Sequence, residues 1–392
     1  MAYTIKQDLL DYMPAHNPMP VVLYDNTNYA QTGYKYILDI YVNAVFQTRL
    51  KAQPDPIYNY GIFDISRMVA GFLSTGYTGN TTLRWQIPSN KAVTVKAGYE
   101  YISGGVITQT LNALTSFTPC TAFLGGFSYL EHSIIMNSPT YYDERLLTSS
   151  PIVQTMKTDT RAWFDVINKG TVKDLEVKRY NSAGALIGTD YIANSVSTTA
   201  SMIRVSYGPA QIAGGGALDL SATSYYTVRL RDNTDALIKT GKTVYVDNDC
   251  GRYSGTDVQL HFLNQFGGWD FVYMNKKNSK FTTINRSNIK RDGSTMSSDG
   301  KAFWSYQSGD RVSNTTYKNR MILNSDFKND EEFKWLENLA TSPLVYMWDE
   351  NGTLWIVNIT DVEYEHKKFI NNKLGNVTLA VEYSLENNRQ RF

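Results

Sequence analysis

Residues 34–42 read Tyr-Lys-Tyr-Ile-Leu-Asp-Ile-Tyr-Val, and Tyr36, Leu38, Ile40 and Val42 share one face if the segment is extended. Successive side chains of a strand point to opposite faces, so a period of two marks a strand that covers a core. Short runs of this kind recur at residues 20–24, 46–51, 92–96, 175–180, 202–207, 225–230, 258–263, 344–348 and 377–383. No other feature constrains the fold as strongly. Tyr 28, Phe 16 and Trp 7 reinforce it, because aromatic side chains fit a pleated, half-buried surface. With 42% hydrophobic and 19% charged residues there is enough apolar material for real cores, which excludes wholesale disorder. The expected fold is mainly β: two or three packed β-sandwich- or β-barrel-like domains with a few short helices.

A chain of 392 residues exceeds what a single core usually serves. The turn-rich loop around Ser149-Ser150-Pro151 and the region of Cys250 suggest three units. They are an N-terminal β domain with one short helix (1–150), a small immunoglobulin- or fibronectin-like β-sandwich (151–249), and a C-terminal β domain with one helix (250–392). The first helix starts at Asp64 as a cap, with Ile65, Met68, Val69, Phe72 and Leu73 on one stripe and Gly76 and Gly79 closing it. The second starts at Asn329, with Glu332 completing a capping box and Phe333, Leu336 and Leu339 facing inward before Pro343. Asn181-Ser182-Ala183-Gly184 and Asn351-Gly352 read as hairpin turns, and residues 377–383 as the strand that closes the last sheet.

Reactive centres find little support. Asp143 with Glu144, Asp247 with Asp249, and Asp349 with Glu350 are acid pairs, but each sits in polar, turn-like sequence without the apolar pocket that tunes a glycosidase acid. Asp247-Asn248-Asp249 starts like a calcium loop and then lacks the Glu that completes one. The Gly214-Gly215-Gly216 run lacks the Gly-Lys of a phosphate cradle. His16, His132, His261 and His366 form no triad pattern, and Cys120 and Cys250, which cannot form a zinc site alone, are expected to be buried free thiols rather than a disulfide. No catalytic residue, metal or cofactor is assigned. The N-terminus carries no secretory signal and no segment matches a membrane helix, so the expected site of synthesis is a cytosol.

Charge is balanced at 38 Lys+Arg to 37 Asp+Glu, which argues against whole-protein binding to nucleic acid or anionic membrane. Locally it is not balanced. Residues 276–320 hold ten Lys/Arg against three Asp, whereas residues 1–150 hold nine basic and ten acidic side chains. Phe303, Trp304 and Tyr306 interleave with the basic residues, which keeps single-stranded nucleic acid in view beside a solvated β-ribbon. A local basic face on a neutral protein suits a head-to-tail protein contact.

The stretch Phe262-Leu263-Asn264-Gln265-Phe266-Gly267-Gly268-Trp269-Asp270 resembles a motif of virion tail proteins from phages of Bacteroidota hosts, the crAss-like group among them. Tyr36-Ile37-Leu38-Asp39-Ile40, Gly61-Ile62-Phe63-Asp64-Ile65-Ser66 and Glu144-Arg145-Leu146-Leu147-Thr148 are similar to further parts of such proteins. So is the ending, Ser342-Pro343-Leu344-Val345-Tyr346 through Asn387-Asn388-Arg389-Gln390-Arg391. The resemblance implies a structural part of the virion tail, made in the host cytoplasm. Such a part would assemble with itself into a ring or hub and touch portal-proximal or baseplate neighbours. The alternative is a glycan- or receptor-binding tail module, with or without depolymerase activity. Interface candidates are Lys276, Lys277 and Lys280 from the basic stretch and Trp269 and Asp270 from the motif.

Overall fold

A computed structural model describes residues 3–77, 85–138, 141–142, 146–168, 172–196, 200–214, 218–238, 241–247, 258–291, 294–303, 309–349, 352–360 and 375–388. The chain is mainly β, with several separate sheets and four helices among the described residues: α1 (Ser66–Ala70), α2 (Tyr129–Met136), α3 (Pro209–Gly214) and α4 (Asp330–Thr341). None of these helices is long and apolar enough to cross a membrane. Two compact units result. The first is Met1–Asn248 with Asn264–Asp270, the second Asp249–Leu263 with Phe271–Phe392.

The expected division near residue 150 falls inside the first unit, and pairing across it explains why. Trp85–Gln86 lies antiparallel to Met202–Ser206, which also pairs with Trp163–Ile167. One small sheet thus draws on both sides of the anticipated boundary, and so does a core cluster of Phe123, Phe127, Tyr142, Leu147, Ile167 and Met202.

Within this unit, Lys35–Val42 sits between Val45–Ala52 and Asn90–Ser103 in a six-stranded sheet. Tyr36, Leu38, Ile40 and Val42 are buried as the alternation requires. Ile37 and Asp39 on the opposite face are buried as well, so the strand is covered on both sides. Asp39 tolerates this because Arg49, from the neighbouring strand, donates to both of its oxygens at 2.6 and 2.9 Å. A five-stranded sheet follows, ordered Val153–Lys157, Lys242–Asp247, Tyr225–Asp232, Val172–Tyr180 and Leu186–Ala193. Its last hairpin turns at Asn181–Gly184, where Asn181 Oδ1 accepts from the Ala183 and Ala185 amides.

The helices differ instructively from expectation. α1 is a little over one turn long. Asp64 Oδ1 accepts from the Ser66 and Met19 amides, so it anchors the start, but Phe72 at the far end of the anticipated stripe is exposed. α2 was not anticipated and is opened by a full capping box between Ser128 and Glu131. α4 carries the anticipated box between Asn329 and Glu332 and buries Phe333, Trp335, Leu336 and Leu339.

Apart from a two-stranded sheet of Ser294–Ser297 and Gly300–Phe303, the described part of the second unit is built on one eight-stranded sheet, in which Asn387–Asn388 also pairs with Gly309–Lys328. Its order is Trp269–Met274, Val258–Leu263, Val345–Trp348, Leu354–Ile359, Gly375–Tyr383, Gly309–Lys328 and Ser279–Arg291. α4 packs on one face, with Trp335 against Phe262 at 5.8 Å between ring centroids, and Leu336 and Leu339 join Leu260, Val345, Met347, Leu379 and Val381 in the core. Gly375–Tyr383 does not close the sheet as expected. It is an interior strand, because the 20-residue strand Gly309–Lys328 lies beyond it and is itself flanked by Ser279–Arg291.

Truncation before Val377 therefore removes a central strand rather than an edge. We predict an insoluble or aggregating product, since Met321, Leu323 and Val357 would lose their cover and two sheet edges would open. A soluble truncated chain with wild-type near-ultraviolet circular dichroism would contradict this topology.

Candidate interaction surface

The Gly-Gly-Trp-Asp motif is a structural knot, not a contact surface. Asn264 Oδ1 accepts from the Phe266 and Gly268 amides at 2.9 and 3.0 Å, and its Nδ2 donates to the Leu147 carbonyl at 3.2 Å. Gly267 has φ +78°, and a Cβ there would collide with the Leu124 carbonyl, so only glycine fits. The turn delivers Trp269 into the first unit, where it is 2% exposed, meets Tyr77 edge to face at 4.8 Å and donates to the Thr75 carbonyl. Asp270, 3% exposed, accepts from Thr148 Oγ1 at 2.5 Å. Trp269 and Asp270, expected as interface candidates, both have their side chains enclosed within the first unit.

Beside them lies a buried lysine that charge counting overlooks. Lys242 Nζ donates to Ser150 O, Ser150 Oγ and Pro151 O at 2.7, 2.8 and 3.0 Å. All three ammonium hydrogens are spent on holding the loop at Ser150-Pro151. Burial pulls this ammonium down to about 8, with the Asp270 charge working against that shift. Tyr207 donates to Gln154 Oε1 at 2.7 Å, and Tyr226 donates to the Tyr207 carbonyl at 2.7 Å. The group is a tether by geometry. Its lysine has no donor left for a reacting molecule.

Other anticipated residues take structural places. Cys120 is a buried free thiol, and Cys250 lies outside the described residues. His132 is buried with Nε2 3.0 Å from the Pro18 carbonyl, and His261 is buried in its strand. Asp349 accepts from the Thr353 amide and from Trp355 Nε1, which makes it a turn residue. Asp143, Glu144, Asp249, Glu350, His366, Gly215, Gly216, Trp304 and Tyr306 lie outside the described residues. Among the described residues no cluster of three His, Cys, Asp or Glu is arranged to hold a metal ion.

The lysines lie in the second unit. Lys276 and Lys277 line a cleft of about 390 Å³ with Asn324, Ser325 and Asn376, at a bulge between Gly309–Lys328 and Gly375–Tyr383. The cleft's amides are largely committed: Asn324 Nδ2 donates to the Lys277 carbonyl, and its Oδ1 accepts from Thr378. Lys276 is paired with Asp326 at 3.2 Å, and Lys318 with Glu382 at 3.0 Å, so part of the positive charge is neutralised inside the unit.

From Lys280 onward the chain forms an arm. Ser279–Arg291 pairs with Gly309–Lys328 from Ser279↔Ile322 out to Arg291↔Gly309, a ribbon roughly 40 Å long. Beyond Thr316 no third strand flanks the ribbon among the described residues. Every side chain from Phe281 to Lys290 is exposed. Three of them are large and apolar, Phe281, Ile284 and Ile289, and Val312 on the paired strand is a fourth, all between 41% and 51% exposed. They alternate with Lys280, Arg286 and Lys290. The sequence marks this stretch as basic, but its apolar residues stand out only once the ribbon is seen to lack a covering layer.

Two outcomes follow from the buried groups. Trp269→Ala should cost about 3–5 kcal/mol in urea unfolding, as for other buried large-to-small changes; unchanged stability would contradict the burial. The second concerns pH. An unfolded lysine titrates near 10.5, so between about 8 and that value the unfolded chain holds a proton that folded Lys242 has released, and stability rises with pH across this window. Burial raises the phenols of Tyr3, Tyr34, Tyr142, Tyr207 and Tyr226 far above their ordinary value, so their contribution is lost as pH climbs past about 10. Subtracting a Lys242→Met unfolding profile from the wild-type one should isolate a rise between about pH 8 and pH 10. A flat difference would place Lys242 in water.

No family model and no curated protein matches the chain. Among solved structures, extracellular domains 3–5 of Drosophila OTK are similar at 7% identity and a TM-score of 0.21, over 82% of this chain and 92% of that one. At that TM-score the likeness bears on neither fold nor function.

Proposed function

We propose that the chain is a structural component of a phage tail, assembling with itself into a ring or hub and contacting neighbouring tail proteins. The observation that carries this reading is the arm. A two-stranded ribbon is at best marginally stable in water alone, and this one exposes Phe281, Ile284, Ile289 and Val312 along its length. Phe281 and Ile289 lie on one face of the ribbon and Ile284 and Val312 on the other, so both faces offer apolar side chains to a partner. The cations between them favour an orienting, charged contact over simple burial. A second apolar surface lies in the first unit, where Tyr129, Leu130 and Ile134 of α2 are all more than half exposed, at 86%, 71% and 52%. The resemblance at Phe262–Asp270 and at the end of the chain supplies the tail context, a virion location reached from the host cytoplasm. Catalysis has no part in this reading, and the glycan-binding alternative has no specific observation in its favour.

Excising residues 284–317 and joining Thr283 to Lys318 through Asn-Gly should keep the base of the ribbon paired. The expected product is a folded, soluble chain that is absent from purified tails. Wild-type occupancy of the excised chain in tails would overturn the reading.

A further inference from the structure

The chemistry of the arm narrows its partner. Strand Ser279–Arg291 contains no acidic residue, and Arg286 and Lys290 are exposed on the same face as Ile284, with one carboxylate, Asp310 of the paired strand, opposite Lys290. Two such arms cannot pair edge to edge, because like charges would face one another across the new ladder. A net acidic surface is the electrostatic complement of this strand.

The same unit presents one. α4 turns Phe333, Leu336 and Leu339 into the core and exposes Asp330, Glu331, Lys334 and Glu337. At 100° per residue all four fall within about a third of the helix circumference, three carboxylates around one ammonium, so the face keeps a net negative charge. Glu332 is set apart, tied to Lys328 at 3.0 Å and to the Asn329 amide at 3.0 Å. The spans also match. Arg286 to Lys290 covers about 13 Å along a strand, and Asp330 to Glu337 about 10 Å along a helix.

We propose that the arm of one copy docks across the outer face of α4 in a second copy of this chain, Arg286 and Lys290 meeting Asp330, Glu331 and Glu337. The two patches differ, so the contact is heterologous, and repeated head to tail it builds a closed ring or an open filament. Opposite charge sets the register and speeds encounter, while Ile284 on the same face adds apolar area. The proposal rests on the assembly reading above and names its self-contact.

The test is sedimentation velocity of the purified full-length chain over a range of concentration and salt. Wild-type protein should self-associate, with affinity falling as salt rises. Arg286→Glu with Lys290→Glu should weaken association at least tenfold. So should Asp330→Lys with Glu331→Lys and Glu337→Lys, or the milder Asp330→Asn, Glu331→Gln, Glu337→Gln set should the reversal disturb the helix. The decisive sample is an equimolar mixture of the arm-reversed and helix-reversed chains, which should associate although neither does alone. A mixture that stays monomeric, or single reversals that associate like wild type, overturns the proposal. Retardation of single-stranded DNA by the wild-type chain, lost in the arm reversal and without self-association, also overturns it. If the wild-type chain is monomeric throughout while the arm-excised chain is still missing from tails, the self-contact falls and the assembly reading stands.

Discussion

A β-ribbon has two faces and can bury neither against itself. That constraint governs the second unit. Its sheet is well covered from Val258–Leu263 to Gly375–Tyr383, where α4 supplies one layer and Val258, Leu260, Val345, Met347 and Val381 the other half of the contact. Beyond Thr316 no third strand flanks the ladder among the described residues, while the ladder itself continues. Hydrogen bonds between two strands do not compensate for exposed isoleucines, because each exchanges with water at a net gain of only about 1 kcal/mol. This exposed ribbon is the surface that the proposed assembly would cover.

The first unit works by the opposite logic. It closes its polar and charged groups inward. Arg204 donates to both oxygens of Asp165 at 2.8 Å, Lys242 is spent on the Ser150-Pro151 loop, and Asn264 staples the turn that carries Trp269. Each of these would be costly unpaired, and each is paired. Motif residues that look like surface chemistry in the sequence serve here to fix a loop within a core. Rigid seating of that loop leaves the exposed apolar and basic residues elsewhere as the available contact surface.

Much of the fold is legible in the sequence wherever the signal is local. Asn329 and Glu332 announce α4 because a capping box precedes an amphipathic stripe. Ser128 and Glu131 make the same box before α2, but Tyr129-Leu130 and Ile134-Ile135 are apolar all round, so no stripe accompanies it. Pairings distant in sequence stay hidden. Nothing local tells that Trp85 meets Val205, or that Gly375–Tyr383 lies inside its sheet. Gly267-Gly268 signals a turn, yet the Leu124 carbonyl that excludes a side chain there is a tertiary fact. For the surface, the cations of residues 276–320 were visible in the count. Their division into the paired Lys276 and Lys318 and the exposed Arg286 and Lys290 depends on where Asp326 and Glu382 fold to.

The central claim is that the arm is covered by protein in the working state. Hydrogen exchange of the backbone amides in residues 283–291 and 309–316 tests it most directly, comparing the isolated chain with intact tail particles. The account predicts fast exchange of these amides in the isolated chain and strong protection in the particle, with the amides of Val258–Leu263 protected in both. Equal and rapid exchange of the arm in both samples would contradict it.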